Sequence, residues 1–355
     1  MADSLFLQDV FNTPRSLADT VSYLDDHIDA VTTTLLDHGV RRVVALGSGS
    51  SWFAAATSVY VHNALAPANG TLALAAASAD YSLYPLPLAA RDAVVGVSVS
   101  GELMDLLALM EILRGRHPLI GITNRADASL TRLVDHVLLM QAGESMVPTS
   151  TKSFVTSVAA LDLLWLSLLA RQGVTEAVRL RTELRSLPQV VDEAIVQARG
   201  QVEAIAQRLA GCTRLFVLGT GPLYPLAQEV ALVFKEVASR PAEAVQTREM
   251  AQGTTAVVDP TVGVIVMNPP GRGRKTVQDI VTACATLGAT IVEVGPTADD
   301  LHLEIACHDL LLPLAYSSPL FMLAGRVGAL HGIDSDHPHW EASYRRMTRR
   351  DAQGG

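Results

Sequence analysis

The chain has 355 residues, 49% of them apolar and 18% charged, with a net charge of −9. That length accommodates two domains with sizeable cores. The acidic balance excludes a general nucleic-acid-binding or membrane-surface role, but it leaves room for a local anion pocket made from a few donors.

The first nine residues are acidic and lack both a basic start and a long apolar run, so they do not read as a signal peptide. An amphipathic helix is predicted over residues 16–38, where Leu17, Val21, Leu24, Ile28, Val31 and Leu35 recur at spacings of three and four. A short apolar strand follows at 42–46, then a Gly/Ser turn and a helix over 54–64. Further strands are expected at 71–77, 93–98, 119–123 and 136–139, with a helix at 103–113. Strands alternating with helices at this spacing predict a parallel sheet.

The apolar run at 155–169 is expected to be a core helix, too short to span a bilayer and carrying Asp162 in its middle. A charged helical connector is predicted at 176–210. The pattern then repeats: residues 41–49 read like 213–221, each followed by a helix, at 51–63 and 223–238, and apolar strands recur at 263–267 and 290–294. Two copies of one α/β unit are therefore expected. The Arg-rich segment 341–355 reads as a tail with some mobility.

Three polar clusters stand at predicted helix starts. Gly47-Ser48-Gly49-Ser50-Ser51 and Ser98-Val99-Ser100-Gly101-Glu102 each follow an apolar strand, and Thr149-Ser150-Thr151-Lys152-Ser153 precedes an apolar helix. Unpaired N–H groups at helix starts favour an anion, and serine hydroxyls add donors. Serine is also a common N-cap, so each cluster alone fits a helix start without a ligand. Two such turns at the carboxyl ends of one parallel sheet can converge on one ligand, and a phosphate is the natural occupant. Dinucleotide binding is disfavoured: Trp52 stands where that fingerprint needs a third glycine, and the segment 77–80 offers no clear ribose-binding acid.

Cys212, Cys284 and Cys307 have no paired or ligand-like spacing and read as reduced core residues. His337 and His339 near Asp334 and Asp336 form a turn for which no metal is expected, and no cofactor is expected elsewhere. The basic run Gly271-Arg272-Gly273-Arg274-Lys275 is either a solvated loop or a second anion site at a helix start.

Gly49-Ser50-Ser51, Ser98-Val99-Ser100-Gly101-Glu102 and Thr149-Ser150-Thr151-Lys152 together resemble the signature of the sugar-isomerase (SIS) domain. Their order and tandem layout are similar to the isomerase half of glucosamine-6-phosphate synthase, and to the amino-sugar-phosphate deaminases and fructosamine-6-phosphate deglycases. The resemblance extends through Leu218-Gly219-Thr220-Gly221 to Gly332-Ile333-Asp334-Ser335-Asp336-His337-Pro338 and so covers nearly the whole chain.

It implies an α/β fold of two tandem SIS domains, each a parallel sheet flanked by helices in three flavodoxin-like layers. The implied division is a helical segment at 1–39, a phosphosugar-binding domain at 40–171, the connector at 172–210, a second domain at 211–340 and a tail at 341–355. By the same resemblance Ser51, Ser98 and Ser100 contact phosphate, Val99 offers its N–H, and Ser48 and Ser150 stand near the sugar, with Ser50 a further substrate-binding candidate. Glu236 matches the proton-shuttling glutamate and points toward the first half's pocket.

The chain departs from the family pattern in several places. Leu103 replaces a phosphate-binding threonine, Gln252 a ring-opening histidine, Ser343 an imine-forming lysine and Val233 a pocket lysine. A glutamine is no acid–base group and a serine forms no imine. Glu249, in the loop with Gln252, is the rival base. No segment resembles an N-terminal cysteine glutaminase, so amidotransfer is not expected. The resemblance points to an enzyme that removes the C2 proton of N-acetylglucosamine 6-phosphate or glucosamine 6-phosphate. Dehydration or isomerisation, deamination or deglycation, and sugar-phosphate sensing without catalysis all stay open. A cytoplasmic homodimer is expected, with the long first helix offering an apolar face, and with a small sugar phosphate rather than nucleic acid or membrane as partner.

Overall fold

A computed structural model describes residues 4–85, 87–269 and 273–352. Helix α1 spans Leu5–Phe11 and α2 spans Thr13–Asp37. The apolar stripe predicted for the first long helix is the inner face of α2, with Leu17, Leu24 and Ile28 fully buried. This apolar face is covered within the chain.

There follow β1 (Arg42–Gly47), α3 (Ser50–Leu65), β2 (Leu72–Ala77), α4 (Ser78–Leu83), β3 (Asp92–Val97), α5 (Met104–Leu113), β4 (Leu119–Thr123) and β5 (His136–Leu139). Then come α6 (Lys152–Arg171), α7 (Thr175–Arg199), α8 (Val202–Ala210), β6 (Arg214–Gly219), α9 (Leu223–Ala238), β7 (Ala242–Gln246), β8 (Val262–Met267), α10 (Arg274–Thr286), β9 (Thr290–Gly295), β10 (Leu301–His302), α11 (Leu312–Leu330) and α12 (Glu341–Thr348).

The strands build two parallel sheets with one strand order, β2-β1-β3-β4-β5 and, read from the other edge, β7-β6-β8-β9-β10. In both, the order reverses beside the first strand of the set. This is the switch point at which the carboxyl ends of neighbouring strands leave a crevice. The central strands β3, β4 and β8 are buried along their whole length, as sheets covered on both faces require.

Contacts divide the chain into two compact units. The N-sheet unit is Arg15–Ser145, Lys152–Pro188 and His339–Gly355; the C-sheet unit is Met1–Pro14, Met146–Thr151 and Gln189–Pro338. The N-sheet core packs Val44, Leu46 and Val94 against Leu106, Met110 and Tyr81. The C-sheet core packs Phe216, Leu218 and Val264 against Val277, Ile280 and Cys284.

Several elements carry no local signal. α1 is too short to show a periodic stripe; its first amides, those of Leu5 and Phe6, donate to the Asp336 carboxylate at 2.9 and 3.0 Å, so a distant turn caps it. That is the role of the acidic turn at 334–338. Among the described residues no group of three or more His, Cys, Asp and Glu gathers as a metal site. α11 contains Pro313 and Pro319, yet stays helical because Pro313 occupies its first turn and packing covers the rest. The tail contains a helix, α12, and its end pairs with the chain after β3 through an antiparallel bridge between Leu103 and Arg349.

The apolar run at 155–169 needs one correction. It lies in a 20-residue helix, α6, and both this helix and the segment Asp309–Leu330 are long and apolar enough to cross a membrane. Their apolar windows are 94% and 89% buried inside the protein, which marks them as core helices.

Candidate functional site

In the N-sheet unit both Ser/Gly turns sit where the strand order predicts, at the carboxyl ends of β1 and β3. The first is forced into its shape by glycine. A Cβ on Gly47 would lie 2.7 Å from the Ser51 carbonyl carbon, and Gly49 has φ +54. The chain therefore turns directly from β1 into α3. Gly49 and Leu103 are the N-caps of α3 and α5, and neither supplies a side-chain cap. The Ser51 N–H donates to the Ser48 carbonyl at 3.2 Å, and no side-chain cap takes the remaining first-turn amides, which favour an anion.

The hydroxyls are set by their own backbone. Ser98 Oγ accepts from the Gly101 N–H at 3.0 Å and Ser100 Oγ from the Glu102 N–H at 3.3 Å. A hydroxyl that accepts in this way keeps its hydrogen for another partner. Ser51 and Ser98 are buried, whereas Ser50, Val99 and Ser100 are half-buried. The Val99 carbonyl accepts from the Asn124 N–H at 3.0 Å, which ties the turn to the end of β4. Glu102 is structural: its buried carboxylate accepts from the Ser129 N–H at 2.7 Å. Leu103 brings no hydroxyl, as the sequence shows, and its backbone instead meets Arg349.

Sequence reasoning missed a network around Ser48. Its Oγ lies 2.8 Å from Ser78 Oγ and donates to Asp105 at 3.3 Å, and Ser78 also donates to Asp105. The available signal was positional: Ser78 directly follows β2, and Asp105 is the acid in the first turn of α5. Ser343 is exposed on α12 in the same unit.

The C-sheet unit holds Ser150, Glu236, Glu249 and Gln252. Glu236 lies half-buried in the last turn of α9. Burial pushes its carboxyl up to about 7, against the pull of the Thr149 hydroxyl and of Lys235. The polar cluster at 149–151 therefore does more than open α6, because Thr149 acts on this carboxyl. Glu249 is exposed in a 3-10 turn, Thr247–Ala251, and Gln252 closes that turn, also exposed. Val233 is buried on α9, within the apolar face of the helix.

The SIS domain pattern matches residues 38–167 and 208–298. The isomerizing glutamine–fructose-6-phosphate aminotransferase of Pyrobaculum aerophilum is 30% identical over 341 residues, covering 94% of this chain and 56% of that protein. The same-named protein of Gloeobacter violaceus is 28% identical over 352 residues, covering 94% of this chain and 57% of its own length. The chain thus spans little more than half the length of these relatives. The C-terminal domain of glucosamine-fructose-6-phosphate aminotransferase from Francisella tularensis superposes with a TM-score of 0.87 at 21% identity, over 95% of this chain and 99% of that one. Glucosamine-6-phosphate deaminase from Thermotoga maritima superposes at 0.75, also at 21% identity, over 95% and 98%. At such identities the structures share the fold, and the pattern match over more than half of the residues places the sequence: the chain belongs to the SIS domain family.

Proposed function

We propose that this chain is an enzyme acting on an amino-sugar 6-phosphate, either glucosamine 6-phosphate or its N-acetyl form. In this reading the turns after β1 and β3 hold the phosphate and Glu236 carries the proton. The observation behind it is the pair of helix starts, α3 and α5, without side-chain caps at one switch point. Beside them the Ser98 and Ser100 hydroxyls keep hydrogens to donate. A dianion with three acceptor oxygens suits such a cradle. The names of the relatives point the same way, since each concerns a hexose or hexosamine 6-phosphate.

The chemistry assigned to Glu236 is removal of the proton at C2 of the open-chain sugar, with the electron pair moving onto the C1 carbonyl oxygen. Return of the proton to C1 completes an isomerisation. Expulsion of the 3-hydroxyl as water completes a dehydration, which needs neither an imine nor a histidine and tolerates an N-acetyl group. Gln252 and Ser343 thus favour dehydration over deamination. The same two residues support a second reading, in which the chain binds the sugar phosphate without turning it over.

Incubation with a panel of hexosamine and ketose 6-phosphates, read by mass spectrometry, separates these outcomes. Loss of water, loss of ammonia and isomerisation without mass change each identify one reaction. Binding without exchange of the C2 proton identifies the sensor. Charge-assisted hydrogen bonds contribute about 1.5–3 kcal/mol each. Ser51→Ala with Ser100→Ala is therefore expected to weaken phosphosugar binding by at least about tenfold in calorimetry, and unchanged affinity places the phosphate elsewhere.

A further inference from the structure

The serine hydroxyls at the N-sheet switch point do not all suit the same kind of partner. Ser98 and Ser100, after β3, accept from the Gly101 and Glu102 amides and so keep their hydrogens to donate. Ser48, Ser78 and Asp105 form a second polar group at the same end of the sheet. They stand after β1, after β2 and in the first turn of α5, all within the N-sheet unit.

The hydrogens of this second group can be counted. Ser78 is fully buried, and its Oγ lies 2.5 Å from Asp105 Oδ2, so its hydrogen goes to the carboxylate. Ser48 Oγ lies 2.8 Å from Ser78 Oγ and 3.3 Å from the same Oδ2. With the Ser78 hydrogen committed, Ser48 is the donor in the first contact, and an ionised carboxylate only accepts in the second. By either route the Ser48 hydrogen is used inside the group. Half-buried Ser48 is left with lone pairs to offer. No hydrogen bond from the described residues reaches Asp105 Oδ1. The turn after β3 thus presents hydrogens, whereas this group presents only acceptors and a negative charge. Such a group repels a phosphate and is complementary to a hydroxyl or an ammonium.

We infer that Ser48 and Asp105 are specificity-determining residues, which take a hydrogen-bond donor of the sugar on Ser48 Oγ and Asp105 Oδ1. Ser78 is a positioning residue that fixes which way the Ser48 hydrogen points. The site then has two ends of opposite polarity, and a molecule with a phosphate at one end and donors at the other enters it in one orientation. The inference rests on the reading of the β1 and β3 turns as a phosphate cradle, and adds the feature that separates a sugar phosphate from phosphate alone.

The test is calorimetric titration of the full chain with glucosamine 6-phosphate, glucose 6-phosphate and inorganic phosphate, with the melting of each variant checked against the wild type. Asp105→Asn removes the charge, and Ser48→Ala removes the acceptor while leaving Ser78 on Asp105. Each is expected to weaken glucosamine 6-phosphate about tenfold and to leave inorganic phosphate unchanged. An equal loss for glucose 6-phosphate upholds the inference with a hydroxyl as the donor. A loss confined to glucosamine 6-phosphate upholds it with the ammonium. Ser51→Ala with Ser100→Ala is expected to weaken all three ligands. Wild-type affinity for both sugar phosphates in both variants overturns the inference and leaves the proposed function standing. Loss of inorganic phosphate together with the sugars also overturns it, because the group then shapes the cradle instead of reading the sugar. Absence of binding of all three ligands to the wild type overturns the inference and the proposed function together.

Discussion

Glu236 lies in the last turn of α9, where a carboxylate faces the negative end of the helix dipole as well as partial burial. Desolvation holds it near 7, so at neutral pH it exchanges a proton readily in either direction. As a base it acts only when ionised. The rate of C2 proton removal is therefore expected to rise as the pH passes through about 7, and a flat profile there removes Glu236 from the role. Glu236→Gln keeps the shape but cannot take a proton. It is expected to bind phosphosugar normally and to turn over about 10²–10⁴-fold more slowly. If Glu249→Gln is the variant that loses activity, the proton goes to Glu249. The resemblance around Phe234-Lys235-Glu236-Val237 is what singles out this carboxyl in the sequence. Its environment was not legible there, because the burial that raises its pKa arises only when the elements pack.

At the scale of elements, the turn after β3 shows how little freedom the cradle has. Gly101 has φ +66, and a Cβ there would stand 2.4 Å from the Ala128 Cβ and 3.0 Å from Thr123 Oγ1. Gly101→Ala is therefore strained twice, by its backbone conformation and by its neighbours. The expected result is a destabilisation of about 1–3 kcal/mol in urea unfolding. Phosphosugar affinity is expected to fall as well, since the Gly101 N–H positions Ser98 Oγ. A variant of wild-type stability and affinity shows that the turn relaxes freely. The strands that the sequence predicted, β1 to β5, β8 and β9, are near-continuous apolar runs. Those it missed, β7 and β10, are a short mixed run beginning Ala242-Glu243 and a two-residue pairing, which only the neighbouring strand stabilises.

On the scale of the whole molecule, Asp162 makes stability depend on pH. It is buried in the middle of α6, with the Ser58 hydroxyl donating to one oxygen and no partner for the other. Burial pushes its carboxyl up to about 8, above an unfolded value of about 3.9. Between those two values the folded chain holds a proton that the unfolded chain has released. Stability from this group is therefore fully present below about pH 4, falls as the pH rises, and is gone above about pH 8. Asp162→Asn accepts the same hydrogen bond without titrating. Its advantage over the wild type in urea unfolding is expected to be larger at pH 8 than at pH 5; an equal difference at both shows that Asp162 does not titrate in this range.

The sequence by itself determined the α/β class, the repeat and the two Ser/Gly turns. Each of these rests on local physics: apolar runs that must be covered, and glycines that let a strand turn straight into a helix. Only the tertiary structure decided which groups act together. Asp336 caps α1 from the far end of the chain, and Asp105 gathers Ser48 and Ser78. It also decided that α6 is an interior helix rather than a membrane span, since composition and length are the same for both and burial against other elements distinguishes them. These pairings join residues far apart in sequence, and spacing along one chain carries no record of contacts that form only when its elements pack.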